Sequence, residues 1–323
     1  MADVSWIALA LVGVAGIVWG AEAFAEHLGG AAVALGVSSF ALALLLAGAE
    51  PEELATGVAA SLRHAPAVAF GDVIGANVAM CLVALGVGAV IAPLPFGRRV
   101  RLYGLLGLPV GAVCAILAWN GSVSRLAGLG LVVLYVAYVA LIWRIEGTPP
   151  VLGEAAEIEE ARERMTGESA PSRRRVGKDL GLILAGVVAM SLGATALVEG
   201  IRHVASADSS QTQISLTLVG FATAFELVVL AVSASRRGAT EVVVAAVVGS
   251  FAYNSTMTLG AAALVRPLEI TGADRLHLPL IFMLGAIAVA IALGSVRGHL
   301  SRLGGVMLLA CYPVFVAAVL LHG

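Results

Sequence analysis

The sequence predicts an all-α polytopic membrane protein of ten transmembrane helices, arranged as two inverted five-helix repeats. Three observations predict it. Of the 323 residues, 60% are hydrophobic and only 12% charged, about half the charged fraction of an ordinary soluble domain. Ten apolar runs reach or approach the roughly 20 residues that a helix needs to cross hydrocarbon. Residues 42–94 and 216–268 align without a gap at an offset of 174.

The apolar runs fall at about 4–26, 31–60, 67–95, 101–120, 123–144, 179–201, 211–235, 240–266, 277–296 and 300–321. The first carries only Asp3 before it and lacks the basic start of a signal peptide, so it reads as a mature helix. Short connections containing Gly, Pro, Arg or Asn join the runs, as in Trp119-Asn120-Gly121. One segment differs. Residues 146–178 hold Glu154, Glu157, Glu159, Glu160, Arg162, Glu163 and Arg164, then Arg173 to Arg175. This is a charged linker between halves at 1–145 and 179–323, with a short surface helix expected near 154–165.

Basic residues orient the chain. With both termini outside, the linker and the other inner loops hold 14 of them and the outer loops 5. The positive-inside rule favours that arrangement and makes the linker cytoplasmic. Of the 19 basic residues all but Lys178 are Arg, which suggests a high-GC bacterial genome and an inner-membrane location. A net charge of −2 argues against a nucleic-acid partner. Cys81, Cys114 and Cys311 lie in apolar runs without metal-ligand spacing and read as buried small hydrophobes. The six histidines sit near predicted helix ends, Trp6, Trp119 and Trp143 likewise.

The repeat carries the functional signal. Across the offset Glu52 meets Glu226, Ser61 meets Ser235, Gly75 meets Gly249, and Pro93-Leu94 meets Pro267-Leu268. Five helices separate each copy from its partner, so the copies face opposite ways, as in secondary transporters. In both copies a span is interrupted. The first reads Ala47-Gly48-Ala49-Glu50-Pro51-Glu52-Glu53, the second Gly220-Phe221-Ala222-Thr223-Ala224-Phe225-Glu226. A carboxylate at membrane depth is costly and marks function, pairing or contact with water. Glu50 and Glu53 also read as residues of a solvated helix mouth, and Asp72 as paired or close to a loop. Ser250 and Asn254 are four apart on one helix face. Both offer oxygen to a cation. A back-bond to the Ser250 helix and an interhelical bond from Asn254 are the plainer alternatives.

At these residues the chain resembles the cation/calcium exchanger superfamily, best known for sodium/calcium exchangers. That family pairs a Gly-Thr-Ser-Leu-Pro-Glu-Leu-like element with a Gly-Asn-x-x-Gly-Ser-Asn-like element in each half. Here they survive as Pro51-Glu52 and Thr223-Ala224-Phe225-Glu226-Leu227, and as Gly71-Asp72-Val73-Ile74-Gly75-Ala76-Asn77 and Gly249-Ser250. The resemblance implies that Glu52 and Glu226 are the central cation ligands, with Thr223, Ser250 and Asn254 beside them. In an alternative register Glu53 replaces Glu52. Gly48, Ala49, Ala76 and Met80 stand where the family has polar ligands.

The expected activity is antiport of a divalent cation, most plausibly calcium, against sodium or protons by alternating access. No cofactor beyond the transported cations is expected. The partners are inorganic cations and the bilayer, with a monomer as the simplest assembly. The missing ligands favour one alternative, a transport-inactive relative acting as a membrane sensor or scaffold. No HExxH, nucleophile elbow or Walker loop points to an enzyme.

Overall fold

The computed structural model describes residues 2–34, 50–146, 173–205, 208–238 and 240–322. Nearly all of them are helical. The elements are α1 (Ala2–Ala34), α2 (Pro51–Leu62), α3 (Pro66–Ala79), α4 (Leu85–Ile91), β1 (Leu94–Pro95), α5 (Arg98–Ala118), β2 (Ser122–Val123), α6 (Arg125–Glu146) and α7 (Arg173–Val204). Then come α8 (Asp208–Ile214), α9 (Gly220–Thr223), α10 (Phe225–Arg237), α11 (Thr240–Tyr253), α12 (Leu259–Val265), β3 (Leu268–Glu269), α13 (Asp274–Arg297), β4 (His299–Leu300) and α14 (Arg302–His322). Single π-helical turns at Met80–Ala84, Ser215–Val219 and Asn254–Thr258 join α3 to α4, α8 to α9 and α11 to α12.

Among the described residues nine segments are long and apolar enough to cross a membrane. They coincide with nine of the ten runs read from sequence. The run at 31–60 falls partly outside the described residues, which lack 35–49. So do the interruption at Ala47-Gly48-Ala49, most of the linker and its expected surface helix. Proline starts α2 and α3, at Pro51 and Pro66, where its missing N–H would have no helical partner anyway.

Pro66–Ile91 and Thr240–Val265 form the centre, 78% and 83% buried, whereas Val4–Phe24 and Arg302–Leu321 are 22% and 28% buried. The outer helices turn Leu11, Val12, Leu126 and Leu321 outward, as a lipid-facing surface requires. Lipid is as apolar as leucine, so helices in a bilayer associate through close packing rather than hydrophobic exclusion. Facing glycines make that packing possible. A Cβ added at Gly13, Gly128 or Gly305 would stand 2.6–2.7 Å from a carbonyl of Gly193, Gly260 or Gly86.

The elements recur at the spacing of the sequence repeat. Helices beginning at 66 and 240, π turns at 80 and 254, and helices at 85 and 259 each lie 174 residues apart. The loops differ from the purely helical expectation. β1 pairs antiparallel with β4, and β2 with β3, extended by Phe96 N donating to Gly298 O and Ile270 N to Gly121 O, both 2.9 Å. The cause is proline. Ala92 and Arg266, each before a proline, are driven into extended backbone, and the strands follow. Gly121 turns the chain at φ +68°, a conformation open to glycine at little cost.

Charged side chains band the two ends of the bundle. At one end Arg63 and Arg202 reach Glu199 at 2.8 and 3.3 Å, and Arg125 donates to the carbonyl of Leu264. Trp6 stacks on His203 and Trp119 on His277 there. At the other end Arg99 faces Glu146 at 3.5 Å and Arg302 donates to the carbonyl of Ile91.

Cys81 and Cys114 are buried as expected, but Cys311 is exposed on α14. Among the described residues nothing covers that face of α14, so an apolar run does not imply burial in protein. In detergent the native protein should take up at most one equivalent of N-ethylmaleimide, at Cys311, because Cys81 and Cys114 are buried, and three after unfolding. Mass spectrometry of the intact protein reads the difference.

A candidate cation site at the helix breaks

Both interruptions place carboxylates at the start of a helix. The chain from α8 runs through a π turn into α9, breaks at Ala224, and resumes as α10 with Glu226 in its first turn. α2 begins at Pro51 after the extended Glu50, with Glu52 and Glu53 in its first turn. A first turn presents the positive end of the helix dipole, which favours a carboxylate there. Glu52 and Glu53 are nonetheless only 2% and 1% exposed, while Glu226 is partly exposed.

Glycine packing brings the halves together at these breaks. A Cβ at Gly75 would lie 2.4 Å from Leu216 O, and one at Gly220 2.4 Å from Ala76 N. α3 therefore lies directly against the Ser215–Thr223 stretch. Thr223 Oγ1 donates to Asp72 Oδ1 at 3.1 Å. Ser250 donates its hydroxyl to Glu50 Oε1. Asn77 Nδ2 donates to Ser255 Oγ at 2.9 Å, and Thr258 Oγ1 to Asn254 Oδ1 at 3.2 Å. Glu52 lies in the charge fields of Glu50 and Glu226, and Glu53 in those of Asp72 and Glu52.

The acceptors outnumber the donors. Both carboxylate oxygens of Glu52, Glu53 Oε2, Asp72 Oδ2 and Asn77 Oδ1 are buried with no hydrogen-bond partner among the described residues. None of the ion pairs among those residues reaches these acids. Buried acceptors without partners carry a large desolvation cost. Acceptor oxygens make up most of these orphans, with Asn254 Nδ2 an unpartnered donor among the described residues, so the cluster as described has room for a cation or a proton. Among the described residues no three acidic, histidine or cysteine side chains converge on one point. A bound cation would therefore take hydroxyl, amide and carbonyl oxygens alongside carboxylates, a mixture that hard cations accept.

The structure brings some of the residues read from the sequence together and separates others. Glu52 and Glu226, predicted as a facing pair, lie near enough to interact. Thr223, Ser250 and Asn254 are all buried. Ser250 bonds across to Glu50 rather than back to its own helix. Asn254 is bonded within its own turn, and the interhelical amide bond comes from Asn77 instead. The solvated helix mouth read as an alternative for Glu50 and Glu53 is not found, because α3 packs against α2 and Ser250 of α11 reaches Glu50. Asp72 is fully buried, not close to a loop. Glu50 and Asn77 were missed as site residues. Their signal was present: at the repeat offset they face Ala224 and Phe251, so packing alone does not require a polar group at either position.

A multi-pass helical bundle with acids gathered at its centre and a helix break at Ala224 has the make-up of a membrane transporter, and the family match supports that class rather than an enzyme. The chain belongs to the sodium/calcium exchanger protein family, which matches residues 5–144 and 178–321. It is 26% identical over 306 residues to an uncharacterized membrane protein of Methanocaldococcus jannaschii, covering 93% of this chain and 91% of that one. It is 35% identical over 86 residues to the sodium/calcium exchanger MaX1 of Methanosarcina acetivorans, covering 26% and 25%. Among solved structures it resembles the sodium-calcium exchanger NCX_Mj soaked with sodium and strontium, at a TM-score of 0.60 and 22% identity over 97% of both chains. The same exchanger soaked with sodium and no calcium gives 0.61 at 20% identity, over 98% and 99%.

Proposed function

We propose that this chain is a secondary antiporter that exchanges a divalent cation, calcium, against sodium or protons. The observation that carries the proposal is the buried Glu52 carboxylate, crowded by Glu50 and by Glu226 of the break in the second half and with no cationic partner among the described residues. Glu52, Glu226, Thr223, Ser250 and Asn254 are the proposed ligands, and Glu50 joins them through Ser250. Exchange needs no bond-making: the carboxylates trade one cation for another. An empty, doubly charged site is costly to carry through hydrocarbon, and that cost couples the two fluxes.

The 174-residue recurrence of helices, π turns and strand pairs supports two inverted halves that rock about this site. The run at 31–60 would supply the tenth helix. The excess of basic residues in one set of loops supports an orientation with both termini outside and the linker cytoplasmic, and the arginine-rich composition fits a bacterial inner membrane. Family membership and the packed acidic centre favour transport over a scaffold role.

Flux in proteoliposomes under separate sodium and proton gradients tests the proposal. Calcium should accumulate against one of these gradients and stop when it is collapsed by an ionophore. Absence of calcium movement under either gradient would overturn it.

A further inference from the structure

α5 opens on Arg98-Arg99-Val100-Arg101. No acid stands in its first turn, although the helix dipole favours negative charge there and opposes positive charge. Its counterpart in the second half, α13, opens on Asp274 instead. Neither helix stability nor the repeat calls for three arginines at this place. Orientation in the membrane accounts for basic residues near a helix end, but not for their gathering around one recess.

Arg98, Arg99 and Arg101 line a recess of about 470 Å³ between the start of α5 and the end of α6, and Glu146 is the one acid in that lining. The Glu146 side chain is only 8% exposed and faces Arg99 at 3.5 Å. It also accepts a hydrogen bond from the Tyr103 hydroxyl. The Tyr103 carbonyl in turn accepts one from the Tyr138 hydroxyl of α6 at 3.3 Å. An anchored carboxylate thus holds Arg99 at the recess. Arg98 and Arg101 are exposed, and no acid among the described residues pairs with either. Three guanidinium groups against one carboxylate leave the recess positively charged.

The rest of the lining is apolar. Leu102, Leu105 and Ile145 complete it, and Leu105 and Ile145 are 59% and 51% exposed. Leu105 lies about one helical turn beyond Arg101, on a helix long and apolar enough to cross the bilayer. Basic head and apolar floor therefore follow the order in which a membrane passes from headgroup to hydrocarbon. A free anion has no use for such a floor. A phospholipid uses both parts, its phosphate on the planar guanidinium forks and its chain on the leucine and isoleucine.

We infer that this recess binds the headgroup of an anionic phospholipid, with Arg98 and Arg101 on the phosphate, Arg99 held beside it by Glu146, and an acyl chain along Leu105 and Ile145. The bound lipid ties α5 to α6 at the end of the bundle from which the linker leaves. The inference does not depend on which cations are exchanged.

Native mass spectrometry of the purified full chain in detergent, titrated with phosphatidylglycerol, tests it. The proteins are wild type, R98Q/R101Q and R236Q/R237Q, the last altered at the end of α10. An arginine near an anionic lipid surface is worth about fivefold in affinity, so R98Q/R101Q should bind phosphatidylglycerol about 25-fold more weakly than wild type. R236Q/R237Q should bind it as wild type does. Phosphatidylcholine of the same chain length should bind all three proteins weakly and alike. Both altered side chains in R98Q/R101Q are exposed, so without lipid its unfolding temperature should match that of wild type. Unchanged phosphatidylglycerol binding by R98Q/R101Q, or an equal loss in R236Q/R237Q, would overturn the site. So would phosphatidylcholine binding as tightly as phosphatidylglycerol. Displacement of phosphatidylglycerol by excess inorganic phosphate would assign the recess to a free anion and overturn the lipid.

Discussion

Glu226→Gln, and separately Glu52→Gln, should lower cation exchange in proteoliposomes at least a hundredfold, about 2.7 kcal/mol of lost stabilisation at tenfold per 1.36 kcal/mol. Glutamine keeps the shape of glutamate and removes its charge, so packing is preserved and only the partner for a cation is lost. Glu52 is the stronger case, because its buried oxygens have no other partner among the described residues. Thermal unfolding in detergent should separate the two effects. Relieving the repulsion between Glu52 and its acidic neighbours should leave the variants as stable as wild type in the absence of cations, or more so. Adding calcium should then stabilise wild type but not the variants, because a ligand that binds only the folded state shifts unfolding by mass action. Exchange at the wild-type rate by either variant would remove the central pair from the mechanism.

Gly220→Val should be the most damaging single substitution for the fold. Its Cβ would sit 2.4 Å from Ala76 N and 2.5 Å from Gly75 C, both backbone atoms. No rotamer change relieves a clash with backbone, so α3 and α9 must separate. Overpacking of this kind costs about 3 kcal/mol, the upper end of its range. The same separation withdraws Thr223 from Asp72, so exchange should fall along with stability. Gly130→Ala serves as a control, since nothing lies within 4 Å of an added Cβ there. Melting curves of both in detergent give the comparison. A lowered transition for Gly130→Ala, or an unchanged one for Gly220→Val, would contradict the packing described here.

The glycines show how much of this was legible in the sequence. Gly71, Gly75 and Gly220 could be read as small residues suited to close approach, but not which helix each would meet. Gly75 meets Leu216, more than 140 residues away, and periodicity says nothing about contacts at that range. The acids divide in the same way. Pro51 and the Ala224 break were visible as interruptions, and the offset paired Glu52 with Glu226. Glu50 looked like a solvated residue before a proline, because its bond to Ser250 crosses from one half to the other. Asn254 was assigned to a helix face by counting fours, yet a π turn starts there and shifts the phase of the side chains beyond it.

Sequence alone determined the solvent, the described spans and the break in the second half, and it singled out acids at membrane depth. Each of these follows from local composition: apolar length, proline and charge at membrane depth. Tertiary structure decided which acids share a pocket, which hydroxyls serve them and which oxygens are left without partners. Those outcomes depend on helix contacts between residues 150 to 200 positions apart, such as Asp72 with Thr223 and Glu50 with Ser250. Backbone approach through glycine, not the spacing of residues along the chain, sets such contacts.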